Sequence, residues 1–400
     1  MNQRNFIRVP YGCTVHGEEE IAAVEHVLRT STQMGPHVRE MEEKVSKLLD
    51  KKFGVMVNSG SSANYLAIEI LKLPEGAEVI TPVLTFSTTV APLIKNKLVP
   101  SFVDVAPGTY VIDAEQVEAM ITPKTKLMMV PNLLGNLPDW QKLREIADKH
   151  GLIVIEDSCD TLGAKINDKP AGRFTDISTT SFYGSHVINC AGNGGMLCVN
   201  SEEQMQKLKL LRSWGRSSSL FVESEAVENR FNIKVDGIEY DAKFIFEAIG
   251  YNLEPSEIGA AFGLVQLSKL QNNIALRQKW FKKHLEFFKS YEDWFILPKQ
   301  LPHSYTGWLA FAMTIKDSAP FKRKDMQIFL EKRNIQTRTI FTGNILRQPG
   351  FKNIPCKRVV QYPATDAVMK GGILLGCHHG LTDEMVSHIH ESFLEFVKTL

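Results

Sequence analysis

Apolar positions recur at helical spacing through the first fifty residues. Ile21, Ala22, Val24, Val27 and Leu28 give Gly17–Arg29 one apolar face, and Met41, Val45, Leu48 and Leu49 do the same for Val38–Leu49. Short apolar runs then take over. Phe53–Val57, Glu78–Thr81, Val99–Val103, Leu127–Val130 and the GLIVIE run at Gly151–Glu156 predict strands, with helical patterns between them such as Ala63 to about Leu71. Strands that alternate with helices up to about residue 200 predict an α/β fold with a mostly parallel sheet covered on both faces. Thr179–Cys198 reads as a strand, a Gly-rich turn that carries His186, and a second strand. Beyond it, Gln204–Trp214 predicts a helix, Ser217–Asp241 a loop, and Ile258–Lys289 one long helix. That helix leads into a smaller C-terminal α+β domain over 251–400, after a large domain over 1–250.

Composition adds little to this picture. The 400 residues are 44% hydrophobic and 23% charged, ordinary values for a globular chain of this length. A formal charge of +1 with interspersed signs offers no footprint for nucleic acid or a membrane surface. No apolar run approaches the ~20 residues of a membrane span, and the first residues lack a signal-peptide core, so the expectation is cytoplasmic. Six scattered cysteines read as free thiols; Cys190 and Cys198 are too widely spaced for a structural zinc site.

The candidate chemistry lies where strands end. After Phe53–Val57 comes Asn58-Ser59-Gly60-Ser61-Ser62 and then a helix. Unpaired N–H groups and the positive dipole end of that helix can hold a phosphate, with the hydroxyls of Ser61 and Ser62 as further donors. An ordinary Ser N-cap gives the same pattern. Phe86, just past a strand, can stack on a planar cofactor or join the core. Asp157 follows GLIVIE, and a carboxylate there needs a partner; a protonated pyridinium nitrogen would serve, and so would a structural hydrogen bond. Arg216, in the WGRSSS turn, can reach a substrate phosphate. Adjacent His378 and His379 chelate poorly on either a strand or a helix, and Trp308 reads as core.

Together these segments resemble the DegT-type sugar-nucleotide aminotransferases, of the fold-type I pyridoxal-phosphate enzymes. NSGSSAN at 58–64, EDSCDTLGA at 156–164, SFYGSH with NGG at 181–195, GYNLEPSEIGAAFG at 250–263 and TRTIFTGNILRQP at 337–349 carry the resemblance. It implies pyridoxal or pyridoxamine phosphate as cofactor. Gly60, Ser61 and Ser181 would hold its phosphate, Phe86 would stack on its ring, and Asp157 would pair with the ring nitrogen. Asn252, in GYN, would reach the phosphate from the neighbouring subunit of a homodimer.

The departure from the family pattern is His186, which stands where the aminotransferases keep their Schiff-base lysine. Together with Cys-Asp in place of the usual Ala-Gln after EDS, it resembles the smaller branch of sugar 3-dehydratases. In that branch the histidine serves as base and then acid. One type in the branch carries an iron–sulfur cluster, but WGRSSSLFVESEAVENRFN has no cysteine to ligate one, so the cluster-free type is expected. The implied substrates are L-glutamate and a nucleotide-linked 4-keto-6-deoxyhexose, with GDP-4-keto-6-deoxy-D-mannose the leading candidate and a colitose-type sugar as the destination. Arg338 is the candidate for the glutamate carboxylate, with a structural salt bridge as the other reading. The alternatives left open are a reductase-coupled dehydrase, an aminotransferase using another lysine, and an inert scaffold.

Overall fold

The computed structural model describes residues 6–221 and 226–400. Among these, seven strands form the main sheet: β1 (Phe53–Val57), β2 (Glu78–Pro82), β3 (Val99–Val103), β4 (Thr125–Pro131), β5 (Ile153–Asp157), β6 (Ile177–Ser181) and β7 (Gly195–Val199). Their spatial order is β1-β7-β6-β5-β4-β2-β3. Strands β2 to β6 pair in parallel, because helices such as Ser87–Lys95 and Trp140–His150 carry the chain back between them. β7 runs against both of its neighbours. Only the 182–194 loop joins it to β6, and so short a connection returns the chain antiparallel.

Both faces of this sheet are covered. On β4, Leu127 and Met129 pack into one apolar cluster and Met128 and Val130 into the opposite one. This two-sided burial is why its sequence reads as a continuous apolar run rather than an alternation. A second, three-stranded antiparallel sheet (Phe295–Ile296, Ala310–Ile315, Gly372–Gly376) builds an aromatic core with Phe288, Phe311, Phe393 and Trp308. Trp308 stacks on Phe281 at 4.2 Å, as a core residue would. The N-terminal segment crosses to this part of the molecule, with Val9 bridging to Ile335.

Two expected elements differ. The long helix is broken at Lys269 into Glu257–Ser268 and Leu270–Lys289. Neither Gly nor Pro marks the break; Lys269 is held there by Glu19 and Glu20 of the first helix. The expected loop at 217–241 contains a hairpin, Ile233–Val235 with Ile238–Tyr240. It turns on Asp236-Gly237, both at positive φ, the preferred chemistry of a two-residue hairpin turn. Residues 222–225 of that loop lie outside the described residues. Among the described residues no helix is long and apolar enough to cross a membrane.

Candidate active site

The carboxyl ends of β4, β5 and β6 and the start of the Gly60–Glu69 helix meet around a cavity of about 500 Å³. Ligands of open α/β sheets bind at such strand ends. Gly60, Ser61, Phe86, Asp157, Ser181 and His186 all line it. These are six of the residues singled out from sequence, drawn from four separate stretches of chain.

Ser59 caps the helix, accepting the Ser62 N–H at 3.1 Å, while the Ser62 hydroxyl donates to Asn58 at 2.6 Å. Ser62 is therefore committed to the turn, and Ser61 is exposed towards the cavity. Gly60 is the first helical residue. A Cβ there would lie 2.6 Å from the Ser181 Cβ and 2.8 Å from the Cys159 Sγ, so glycine lets the helix end close on β6. The Ser181 Oγ accepts the Tyr183 N–H at 3.2 Å, which leaves its own proton to donate elsewhere. Phe86 is 49% exposed, meeting Phe341 edge-on at 5.8 Å, and presents its ring to the cavity rather than to the core.

Asp157 ends β5 with only 6% exposure. Its Oδ2 accepts from the Asn64 amide at 2.7 Å and the Thr89 hydroxyl at 2.9 Å, and its Oδ1 from the Cys159 N–H at 3.3 Å. The Thr179 hydroxyl donates to the Asn64 Oδ1 at 2.6 Å, which turns the amide NH₂ towards the carboxylate. The structural bonds thus hold Asp157 in place without removing it from the cavity wall.

His186 lies in the 182–194 loop. Its Nδ1 is 3.3 Å from the Ser181 carbonyl. A carbonyl can only accept, so this contact assigns the proton to Nδ1 and leaves the Nε2 lone pair free. Nε2 lies 3.6 Å from Asp160 Oδ1. Burial pushes the imidazole down to about 4, with the Ser181 carbonyl opposing, Arg277 adding to the fall and Asp157 resisting it. Burial and the charge of Asp157 push Asp160 up to about 7, against the bond its Oδ2 accepts from the Leu134 N–H at 2.9 Å. At neutral pH the site therefore holds an uncharged imidazole beside a carboxyl close to its midpoint.

Sequence reasoning did not single out Asp160 as a site residue, although EDSCD contains it; its neighbour is 26 positions along the chain and only folding joins them. Nor did it find Tyr11, which lines the cavity because the N-terminal segment passes there, its N–H donating to Gln336 at 3.2 Å. Tyr183 and Asn132 line the cavity as well.

Three expected site residues are not part of this wall. Asn252 is exposed and bridges to Ser213. Arg216 packs over Trp214 at 4.5 Å, with Phe244 and Phe246 at 5.7 and 5.9 Å. Arg338 lies beside the cavity, 5.7 Å from the Tyr11 ring, and its Nη1 donates to the Thr337 carbonyl at 2.7 Å. His378 is buried, its Nε2 3.1 Å from the Pro10 carbonyl. Cys190 and Cys198 are buried free thiols, both pushed up to high pKa by burial.

Residues 14–394 match the DegT/DnrJ/EryC1/StrS aminotransferase family. A dTDP-4-dehydro-2,6-dideoxy-D-glucose 3-dehydratase from Saccharopolyspora spinosa is 35% identical over 402 residues, covering 97% of this chain and 86% of that protein. A GDP-4-keto-6-deoxy-D-mannose 3-dehydratase from Yersinia pseudotuberculosis is 31% identical, covering 96% and 97%. Among solved structures, a GDP-4-keto-6-deoxymannose-3-dehydratase with a trapped PLP-glutamate geminal diamine superposes with a TM-score of 0.87 at 28% identity, over 96% of this chain and all of that one. The chain belongs to the DegT/DnrJ/EryC1/StrS aminotransferase family, whose members are pyridoxal-phosphate-dependent, sugar-modifying enzymes.

Proposed function

For this member of the family we propose a sugar 3-dehydratase. It would remove the C3 hydroxyl of a nucleotide-linked 4-keto-6-deoxyhexose and yield a 4-keto-3,6-dideoxy sugar. The observation that carries this reading is the imidazole of His186 on the cavity wall, where the family resemblance places an amine. Its cofactor is pyridoxal phosphate and its pyridoxamine form. In the overall balance L-glutamate supplies the two electrons and leaves as 2-oxoglutarate and ammonia, while the C3 oxygen leaves as water.

The cavity suits that cofactor in size and lining. Its volume falls within the range of small-molecule sites. The Gly60–Ser61 backbone at a helix N-terminus, with the Ser61 and Ser181 hydroxyls, suits a phosphate dianion. Phe86 offers a ring face and Asp157 a fixed carboxylate for a ring nitrogen. When bound, the cofactor supplies the electron sink.

The protein's own groups do the remaining work. Asp157 keeps the ring nitrogen protonated, because Asn64 and Thr89 hold the carboxylate in place. His186 would accept a proton at Nε2 from the bound reactants. It then delivers that proton to the departing C3 hydroxyl. A lysine at this place would instead bond covalently to the cofactor and favour amino transfer. Arg338 takes the glutamate carboxylate with its planar fork, and Arg216 contacts the sugar nucleotide. A second copy of the chain supplies Asn252 to the phosphate.

The test begins with the absorbance of the protein with pyridoxal phosphate, before and after L-glutamate. A free-aldehyde spectrum that converts to the pyridoxamine spectrum, with 2-oxoglutarate released, supports the first half. Mass spectrometry of the product from GDP-4-keto-6-deoxymannose, and in parallel from a dTDP-linked 4-keto sugar, then identifies the substrate through loss of one oxygen. An unchanged spectrum with glutamate, or an aminated sugar as product, overturns the reading.

A further inference from the structure

The Leu270–Lys289 helix does not line the cavity, yet it sends two side chains to the His186 turn: Asn273, whose amide donates to the Val187 carbonyl at 3.0 Å, and Arg277. Arg277 has no solvent exposure. Its Nη2 donates to the carbonyls of Ser185 at 3.0 Å and His186 at 2.9 Å. Its Nη1 donates to those of Trp308 at 3.1 Å and Leu309 at 3.2 Å, and its Nε to His379 Nδ1 at 3.2 Å. A guanidinium carries five N–H donors, so these contacts use all of them.

All five acceptors are neutral. Among the described residues no carboxylate pairs directly with Arg277; Asp160 and the Cys377, Tyr11 and Cys13 groups act on it only through space. Burial lowers Arg277 to about 10, which still leaves it a cation at neutral pH. A buried charge without a counterion is expensive, and here the five hydrogen bonds offset part of that cost. The clamp also settles His379, which must offer the Nδ1 lone pair and so stays neutral.

We propose that Arg277 is a positioning residue for His186: it fixes the backbone of the turn that carries the imidazole, and its uncompensated charge disfavours a second cation there. A free imidazole is what a general base requires, and an imidazolium formed beside Arg277 gives up its proton readily. The importance of this to catalysis rests on the reading of His186 as the base. The groups facing that imidazole are Asp160 at 3.6 Å, Asp157 at the end of β5, the Tyr183 ring at 5.9 Å and Arg277 from behind. Burial contributes more than Arg277 to the low basicity, so removing the charge restores it only in part.

The test compares the full-length chain with Arg277→Met and Arg277→Lys, using ¹³C-labelled histidine to follow His186 by NMR titration. Hydrogen exchange of the 182–194 loop reports on the clamp. In Arg277→Met the His186 midpoint rises towards, but not to, the free value near 6.5, and the loop exchanges faster. Arg277→Lys keeps the charge but loses the fork, so the midpoint stays while exchange rises. Its turnover falls by up to about 100-fold, the scale of a small misplacement of a catalytic group, and KM changes little. An unmoved midpoint in the Met variant, or unchanged loop exchange in both, overturns the proposal. Should the Met variant be recovered unfolded, the Lys variant decides: faster exchange at a constant midpoint sustains the clamp, and any other result refutes it. Because titration and exchange need no substrate, failure of the dehydratase reading would show separately, as a wild-type protein with an intact clamp and no deoxygenated product.

Discussion

At His186 the imidazole sits between a carbonyl that orients one nitrogen and a carboxyl that faces the other. The proposed base and the carboxyl beside it have been shifted in opposite directions, to about 4 and about 7. Asp160 therefore opposes folding once it ionises. A carboxyl raised in the folded state contributes stability that is complete below its unfolded value near 3.9 and is lost as pH rises through about 7. Asp160→Asn removes that penalty and keeps an acceptor for the Leu134 N–H. It should melt above wild type at pH 8, by a margin that shrinks towards pH 5, in scanning calorimetry at both pH values. Turnover should fall, by part of the roughly 10²–10⁴-fold that a positioned acid–base provides, since the imidazolium loses its anionic neighbour. A variant that melts no higher at pH 8 than at pH 5, relative to wild type, would show that Asp160 is not raised. Of this site, His186 and Asp157 were legible in the sequence because each departs from or completes a local pattern. Asp160 was printed in the same motif, but its importance depends on a contact across 26 residues.

The Gly60–Glu69 helix shows the same division one level up. A strand, a Ser-rich turn and a helix start could be read directly, and the N-cap by Ser59 follows from local chemistry. The requirement for glycine could not, because the atoms that exclude a Cβ belong to Cys159 and Ser181 on other segments. Gly60→Ala should cost about 1–3 kcal/mol in chemical denaturation, as overpacking does. It should also weaken pyridoxal-phosphate binding measured by fluorescence titration, since the helix end must retreat from β6. Full stability and unchanged affinity would mean that the contact relaxes freely. The break at Lys269 and the Asp236-Gly237 hairpin are opposite cases. The first has no Gly or Pro to mark it, and Lys269 there pairs with Glu19 and Glu20 of a distant helix. The second had a clear local signal, a DG pair between apolar residues, in a stretch read as loop.

Among the described residues, five imidazoles are pushed far below their ordinary value, with His284, His378 and His379 buried and His186 and His390 partly buried. His186, His378 and His390 lie at about 4, and His284 and His379 at about 3, with burial the leading cause in each. Arg277 depresses His378 and His379 further, and His284 and His390 share a 3.0 Å contact between ring nitrogens. Because the unfolded chain takes these protons first, the stability is complete above about 6.5 and is lost as pH falls towards the folded values. The melting temperature should thus drop steeply between pH 7 and pH 5, earlier than carboxylate protonation alone would cause; a flat profile over that range would contradict the buried-neutral assignment. Exposed Phe231, Tyr240, Phe244, Phe246 and Ile249 gather on the segment that also carries Arg216 and leads to Asn252. If a second copy covers it, sedimentation should give a dimer. Phe246→Asp should then shift it to monomer and loosen the cofactor, and a wild-type monomer that retains the cofactor would count against a shared site.

The sequence alone determined the α/β class, the strand ends that carry chemistry and the imidazole where an amine is expected. The first two depend on spacing within a few dozen residues, where periodicity and turn chemistry act; the third is what the family resemblance implies. Tertiary structure decided the rest. It set Asp160 against His186, brought Tyr11 across from the N-terminus and drove Arg277 from a distant helix into the turn behind the imidazole. Those contacts join segments 26 to 325 residues apart, and their energies depend on burial, which exists only once the chain has closed around them.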